Sequence, residues 1–212
     1  CLGINYMAHS DEAEKYSAAA FATKHEDAIY FSKRVTRAVP DGDPIEAHTD
    51  LVKKLDYECE LAVVLGKDAR DVPAGQTRDY IFGYTILNDV SARDVQTAHK
   101  QWYFGKSLDG FTPIGPCIVT ADAFADYPPR LGIRSFVNGE KRQDSNTALQ
   151  IFDIDHVIAE LSQGMTLKAG TIIATGTPAG VGMGMDPPQF LKPGDVVRCE
   201  IDGIGTLTNP VK

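Results

Sequence analysis

The chain has 212 residues, of which 43 % are hydrophobic and 24 % charged, and its formal net charge is −8. A chain of this length can bury a substantial core. Its acidity excludes broad electrostatic capture of nucleic acid or of an acidic membrane surface, yet leaves room for an anionic ligand in a locally positive pocket.

No apolar run approaches the roughly 18–20 residues that span a bilayer. The opening CLGINYMAHSDE lacks the charged start and apolar stretch of a signal peptide. Cys1, Cys59, Cys117 and Cys199 are far apart and form no CxxC pair. Neither a zinc ribbon nor a disulfide framework is indicated, so each reads as a small buried hydrophobe in a reducing compartment: the cytoplasm, or the mitochondrion in a eukaryote. The start on Cys1, with CLGI resembling the later half of a strand, implies further residues upstream.

Along the chain, residues 7–22 (MAHSDEAEKYSAAAFA) are Ala-rich and predict one or two helical turns followed by a mobile surface segment. AIYFS at 28–32 predicts a short strand, and PDGDP at 40–44 a turn. DYECELAVVLG at 56–66 alternates and then becomes continuously apolar, which predicts a strand entering the core. RDYIFG at 78–83 predicts a short helix before the apolar run YTILNDV. Ser91 to Trp102 has helical composition, and 105–116 is rich in turn residues.

CIVTADAF predicts a strand, and IRSFVNGEKRQ at 133–143 a hairpin turning on Asn-Gly. A helix is predicted from about Asp153 to Ser162. TIIATGTPAGVG at 171–182 predicts a strand running into a glycine-rich loop, and VVRCEIDGIGTLTNPV two further strands. Strands outnumber helices without alternating regularly with them, so a doubly wound parallel sheet is not expected. The expectation is one β-rich α+β domain over 1–212.

Residues two apart in a strand share a face, so Glu58 and Glu60 point together while Cys59 and Leu61 point the other way. Two carboxylates beside LAVVL repel each other and are costly to desolvate. A divalent cation relieves that cost, and oxygen-only ligation suits Mg2+, Mn2+ or Ca2+. The third ligand is open at this point among Asp89, Asp94 and Asp56. His9 and Glu12, three apart, share a helix face, and a carboxylate beside an imidazole orients it as a base.

FGKS at 104–107 fails the phosphate-loop pattern because Lys100 stands where glycine is required. GTPAGVG lacks GxGxxG but can present backbone N–H groups to an anion. Arg93, Gln96 and Lys106 supply cationic and amide donors near the acidic segment.

In order along the chain, GINYMAHSDE, YFSK, LDYECELAVVLGKDARDV, FGYTILNDVSARDVQ, GKSLDGFTPIGP, IATGTPAGVG and LKPGDVVRCEIDGIGTLTNPV resemble the fumarylacetoacetate hydrolase family over nearly the whole chain. The resemblance implies a mixed β-sandwich or roll, paired as a homodimer, with an extra N-terminal region in longer members. It implies Mg2+ or Mn2+ on Glu58, Glu60 and Asp89. It implies a water-activating dyad of His9 and Glu12, with Lys106 also catalytic, and substrate contacts from Arg93, Gln96, Thr177 and Tyr6. Phe31 falls near the pocket in the motif.

The activity so implied is metal-dependent hydrolysis of a carbon–carbon bond in a small anionic diketo or acylpyruvate-type acid, with the cation stabilising an enolate. Segment 7–27 would close as a lid. The same enolate serves decarboxylation or isomerisation of related oxo acids such as oxaloacetate or a hydroxy-heptadienedioate. A metal-stabilised binding protein without activity is a third reading, and the intact residue set argues against it.

Overall fold

The computed structural model describes residues 1–212. Strand β1 (Leu2–Gly3) leads into helix α1 (Met7–Phe21), and β2 (Ile29–Tyr30) returns antiparallel to β1. The helix is longer than its composition predicts and breaks its helical geometry only at Ser17. Alanine favours the helix, but tertiary contact decides the length. Ala13 and Phe21 are buried with Ile4, Val181 and Met183, so this segment is docked rather than a loose surface excursion.

Two four-stranded sheets form the body. The first comprises β4 (Cys59–Leu65), β5 (Ile81–Asn88), β7 (Ile114–Thr120) and β10 (Ile172–Ala174), in the order β10-β4-β5-β7. The second comprises β8 (Gly132–Val137), β9 (Glu140–Asn146), β11 (Val196–Ile201) and β12 (Gly205–Pro210), in the order β12-β11-β8-β9. A ribbon of β3 (Leu55–Asp56) and β6 (Ser91–Ala92) lies beside them. Every ladder is antiparallel, and parallel pairing is confined to isolated bridges such as Ile45 with Val211.

Strand β4 is buried along its whole length. Its alternate residues Cys59, Leu61, Val63 and Leu65 enter the main core with Tyr84, Ile86, Ile133, Val197, Cys199 and Ile201. Ala62 points the other way and meets Leu87 and Ala174. This is the period-2 division expected of a strand covered on both faces. Truncating Leu61 to alanine would cost about 2–5 kcal/mol.

The β8–β9 hairpin turns on Asn138 and Gly139, with φ of +52° and +83°, as a type I′ turn requires. Helix α4 (Ile154–Ser162) starts where predicted, and Asp153 caps it by accepting from the His156 N–H at 2.8 Å. The helix expected over 91–102 is shorter. Ser91 and Ala92 pair in β6, α2 covers Arg93–Ala98, and the chain turns at Lys100, with φ of +61°, before α3 (Tyr103–Lys106). Cysteine burial also differs from expectation. Cys59 and Cys199 are buried, Cys1 is partly so, and Cys117 is exposed on the edge strand β7. No helix is long and apolar enough to cross a membrane.

Candidate active site

Antiparallel register brings the acids together. Cys59 pairs with Asn88, so the chain entering β4 lies beside the chain leaving β5. The Asp89 N–H donates to Glu58 O at 2.9 Å, and Asn88 Oδ1 accepts from the Glu58 N–H at 3.0 Å. Carboxylate oxygens of Glu58, Glu60 and Asp89 thereby lie within 4.8 Å of one another, all three residues buried. Asp94 is only partly buried and accepts from the Lys53 N–H. Asp56 is buried but fully engaged by other donors.

Three cations face these acids. Lys106 Nζ donates to Glu58 Oε2 and Asp89 Oδ2, each at 2.7 Å. Arg93 Nη1 lies 2.7 Å from Glu58 Oε1 and donates to Gln96 Oε1 at 3.1 Å. Lys33 Nζ donates to Asp89 Oδ1 at 2.5 Å and to Val90 O at 3.1 Å, with its side chain only 2 % exposed. Sequence reasoning did not single out Lys33. It follows a two-residue strand, and only its place in the ordered YFSK match distinguished it from a surface lysine.

Charge and burial compete differently at each group. Burial opposes ionisation of Glu58, but Lys106 and then Arg93 outweigh it and hold its pKa down at about 2. Burial also opposes the charge on Lys106, yet Asp89 and Glu58 hold its pKa above the ordinary value. Glu60 goes the other way. Burial raises its pKa well above the carboxylate range, and the charges of Asp89 and Glu58 push it further.

Glu60 Oε1 is buried without a hydrogen-bond partner, while Oε2 accepts from the Gly176 N–H at 2.7 Å. An orphaned carboxylate oxygen beside two further carboxylates is a hard, oxygen-only donor set, which fits Mg2+ or Mn2+. Each carboxylate has lone pairs beyond those that the lysines use.

The glycine-rich loop has an anion role, but toward the protein's own acids. Along 176–183, Gly176 N–H serves Glu60, Gly180 N–H donates to Glu12 Oε1 at 2.8 Å, and Gly182 and Met183 N–H donate to Asp56 at 2.7 and 3.0 Å. The absence of side chains matters here. A Cβ on Gly184 would lie 2.1 Å from Glu12 Cδ.

With one oxygen held by the loop, Glu12 places Oε2 3.3 Å from His9 Nδ1. Helix α1 thus carries the buried His9 with Nδ1 turned to Glu12. The Tyr6 hydroxyl, at the start of α1, is buried without a partner. Phe31 lies against Trp102, and Lys106 Nζ stands 5.3 Å from the Phe31 ring centre.

Thr177 is placed differently from a simple substrate-facing hydroxyl. Its Oγ1 donates to Cys59 O at 2.9 Å and accepts from Gln143 Nε2 at 2.7 Å. Gln143, on β9, also donates to Pro178 O and accepts from the Cys59 N–H. The expected residues Glu58, Glu60, Asp89, Arg93, Gln96 and Lys106 therefore converge, and His9 and Glu12 are tied through Gly180 to the loop whose Gly176 N–H holds Glu60, whereas the Thr177 hydroxyl is committed to the scaffold.

Comparison with known proteins identifies the family that has this fold. The fumarylacetoacetate (FAA) hydrolase C-terminal family matches residues 1–212. The oxaloacetate tautomerase YisK of Bacillus subtilis (strain 168) is 44 % identical over 211 residues, covering 100 % of this chain and 68 % of that protein. The structure of a fumarylacetoacetate hydrolase from Exiguobacterium antarcticum superposes with a TM-score of 0.89 at 47 % identity, covering 100 % of this chain and 73 % of that one. A fumarylpyruvate hydrolase from Pseudomonas aeruginosa, solved in complex with Mn2+ and pyruvate, matches with a TM-score of 0.85 at 29 % identity, covering 100 % of this chain and 87 % of that one. This chain spans about two thirds of the length of the curated relatives it matches. By its matched length, its fold and these relatives, the chain belongs to the fumarylacetoacetate hydrolase family.

Proposed function

We propose that this protein is a divalent-cation-dependent enzyme that hydrolyses a carbon–carbon bond in a small acylpyruvate-type oxo acid. Glu58, Glu60 and Asp89 would hold Mg2+ or Mn2+. The observation that carries the proposal is the seating of Glu12 between the Gly180 N–H and His9 Nδ1, which orients the imidazole as a base.

A bound divalent cation supplies Lewis acidity and a countercharge for the enolate character that such cleavage develops. The remaining chemistry belongs to the chain. His9, held through Nδ1, has Nε2 free to take a proton from water, and Glu12 stabilises the resulting imidazolium. Lys106, Arg93 and Gln96 are the donors for the substrate's carboxylate and for developing negative charge. The buried Arg93 Nη2 and the Tyr6 hydroxyl lack protein partners and are available for that purpose. Thr177 contacts substrate in this reading through its main-chain N–H, since its hydroxyl is already engaged.

Charge supports an anionic substrate. Lys33, Lys106 and Arg93 already pair with Glu58, Asp89 and Asp56, so a divalent cation on the cluster would add net positive charge for a substrate anion. Helix α1, packed on Val181 and Met183 and held through Glu12, would serve as the lid.

A second reading is supported by the relative named an oxaloacetate tautomerase. The same base could move a proton between carbon and oxygen of an oxo acid without activating water, giving isomerisation, or return a proton to the enolate that loss of CO2 from the keto form generates. A panel of acylpyruvates, fumarylpyruvate and oxaloacetate, followed with Mg2+ by loss of enol absorbance and by product identity, separates these. Acid products of cleavage support hydrolysis. Proton exchange without cleavage supports tautomerisation. Turnover of none of them would overturn the enzymatic reading.

A further inference from the structure

Asp56 lies outside the acid cluster and the dyad, yet it touches the elements that carry both. It is 0 % exposed. Its Oδ1 accepts from the Gly182 N–H at 2.7 Å and from the Tyr57 N–H at 2.9 Å. Its Oδ2 accepts from Arg93 Nε at 2.8 Å and from the Met183 N–H at 3.0 Å. Four donors converge on two oxygens, which only an ionised carboxylate satisfies without conflict.

Each side of this node leads to a different part of the site. On one side, Gly182 is two residues from Gly180, whose N–H holds Glu12. Tyr57 OH donates to Gly180 O at 2.8 Å, so Gly180 is anchored from both of its polar groups. A Cβ on Gly182 would lie 2.8 Å from Asp56 Oδ1 and 2.1 Å from Gln189 O, so the loop approaches Asp56 as closely as a glycine backbone allows. On the other side, the bond to Nε sets the plane of the Arg93 guanidinium. In that plane Nη1 reaches Glu58 and Gln96, and Nη2 stays buried without a partner.

We propose that Asp56 is a positioning residue: it holds the 180–184 loop at the height that seats Glu12 behind His9, and fixes the Arg93 fork so that Nη2 is presented to substrate. The functional part of this inference rests on the reading given above. A residue acting as structural glue alone would lower stability without touching kinetics in a residue-specific way. A positioning residue must instead show coupling to the groups it positions.

Asp56→Asn keeps the shape but turns one acceptor into a donor facing two N–H groups. The expected result is a fall in kcat on the order of ten- to a hundredfold, the scale of a misplacement of about 1 Å. KM should rise through Arg93, while the protein still binds Mg2+, because Glu58, Glu60 and Asp89 are all retained. In a double-mutant cycle, Asp56→Asn added to Glu12→Gln should lower kcat by clearly less than the product of the two single losses. Multiplicative losses in the cycle, or parental kcat and KM in the single variant, overturn the proposal.

Hydrogen exchange of the substrate-free protein gives a readout independent of turnover. Asp56→Asn should raise exchange in 180–184 and in α1 together; a rise in the loop alone, or in neither, counts against it. Should Asp56→Asn not fold, Asp56→Ser, which keeps a small acceptor for the local N–H groups, takes its place in the same measurements. If the parent turns over no oxo acid, the functional reading fails, and the exchange measurement decides the role of Asp56.

Discussion

The Glu12 carboxylate accepts from the Gly180 N–H at 2.8 Å, across 168 positions of sequence. That bond joins α1, and with it the His9–Glu12 pair, to the loop leaving β10, whose Gly176 N–H holds Glu60. If this pair is the water-activating base, His9→Ala should lower hydrolysis by about 10²–10⁴-fold, the usual contribution of general base catalysis. Mg2+ binding, followed by calorimetry, should be unchanged. Parental hydrolysis by His9→Ala would remove the dyad from the mechanism.

Glu58→Ala, Glu60→Ala and Asp89→Ala should each abolish Mg2+ or Mn2+ binding and turnover, since the cluster offers one oxygen from each acid. Chelation of the parent with EDTA should likewise stop turnover, and Mg2+ should restore it. Full activity of metal-free Glu58→Ala is the result that sinks the proposal.

Lys106 bridges Glu58 and Asp89, both part of the acid cluster. Its charge therefore competes with a cation there, and in the proposed reaction it would also serve the substrate. Lys106→Met should tighten Mg2+ binding by about tenfold or more, equivalent to about 1.4 kcal/mol. It should also reduce kcat by about 10²–10³-fold through the loss of a donor to developing charge. Weaker Mg2+ binding in Lys106→Met would show that the lysine supports the cation site.

Stability should depend on pH with opposite signs from two neighbouring acids. Glu58 has its folded pKa lowered from 4.5 to about 2, because Lys106 and Arg93 outweigh the burial that opposes its charge. Its contribution is present above about pH 4.5 and is lost as pH falls toward 2. Glu60 has its folded pKa raised above 4.5, first by burial and then by Asp89 and Glu58. The folded state then binds the extra proton, so stability declines as pH rises above 4.5 through that raised value. Thermal midpoints of the metal-free protein should show this decline, and Glu60→Gln or saturating Mg2+ should remove it. Superimposable pH profiles for the parent and Glu60→Gln would contradict the assignment.

Gln143 secures the loop to β4 through Cys59 N–H, Thr177 Oγ1 and Pro178 O. Gln143→Leu strands the Cys59 N–H and the Pro178 carbonyl inside the protein. At about 1–3 kcal/mol for each of these two buried unsatisfied groups, the urea midpoint should fall by the equivalent of about 2–6 kcal/mol. An unchanged midpoint would mean that water replaces the amide.

Several features were determined by the sequence alone because their causes are local. Strand parity separates Glu58 and Glu60 from Cys59 and Leu61. Asn138-Gly139 makes the hairpin turn, Asp153 starts α4, and the spacing of His9 and Glu12 puts them on one helix face. The ordered family motifs added the expected grouping of these residues with Asp89, Arg93, Gln96 and Lys106.

Tertiary structure decided what periodicity cannot carry. Asp56 and Asp89 are both buried acids near strand ends, and only the pairing of Cys59 with Asn88 puts Asp89 beside Glu58 while Asp56 turns to Arg93 and the 180–184 loop. Lys33 reaches Asp89, and Gln143 takes up the Thr177 hydroxyl, through contacts between segments far apart in the chain. Even the length of α1 depends on its anchors, Ala13 and Phe21, finding Val181 and Met183. Helix spacing, strand parity and capping act over a few residues, whereas the partner of a buried charge is set by strand register and loop closure across the whole chain.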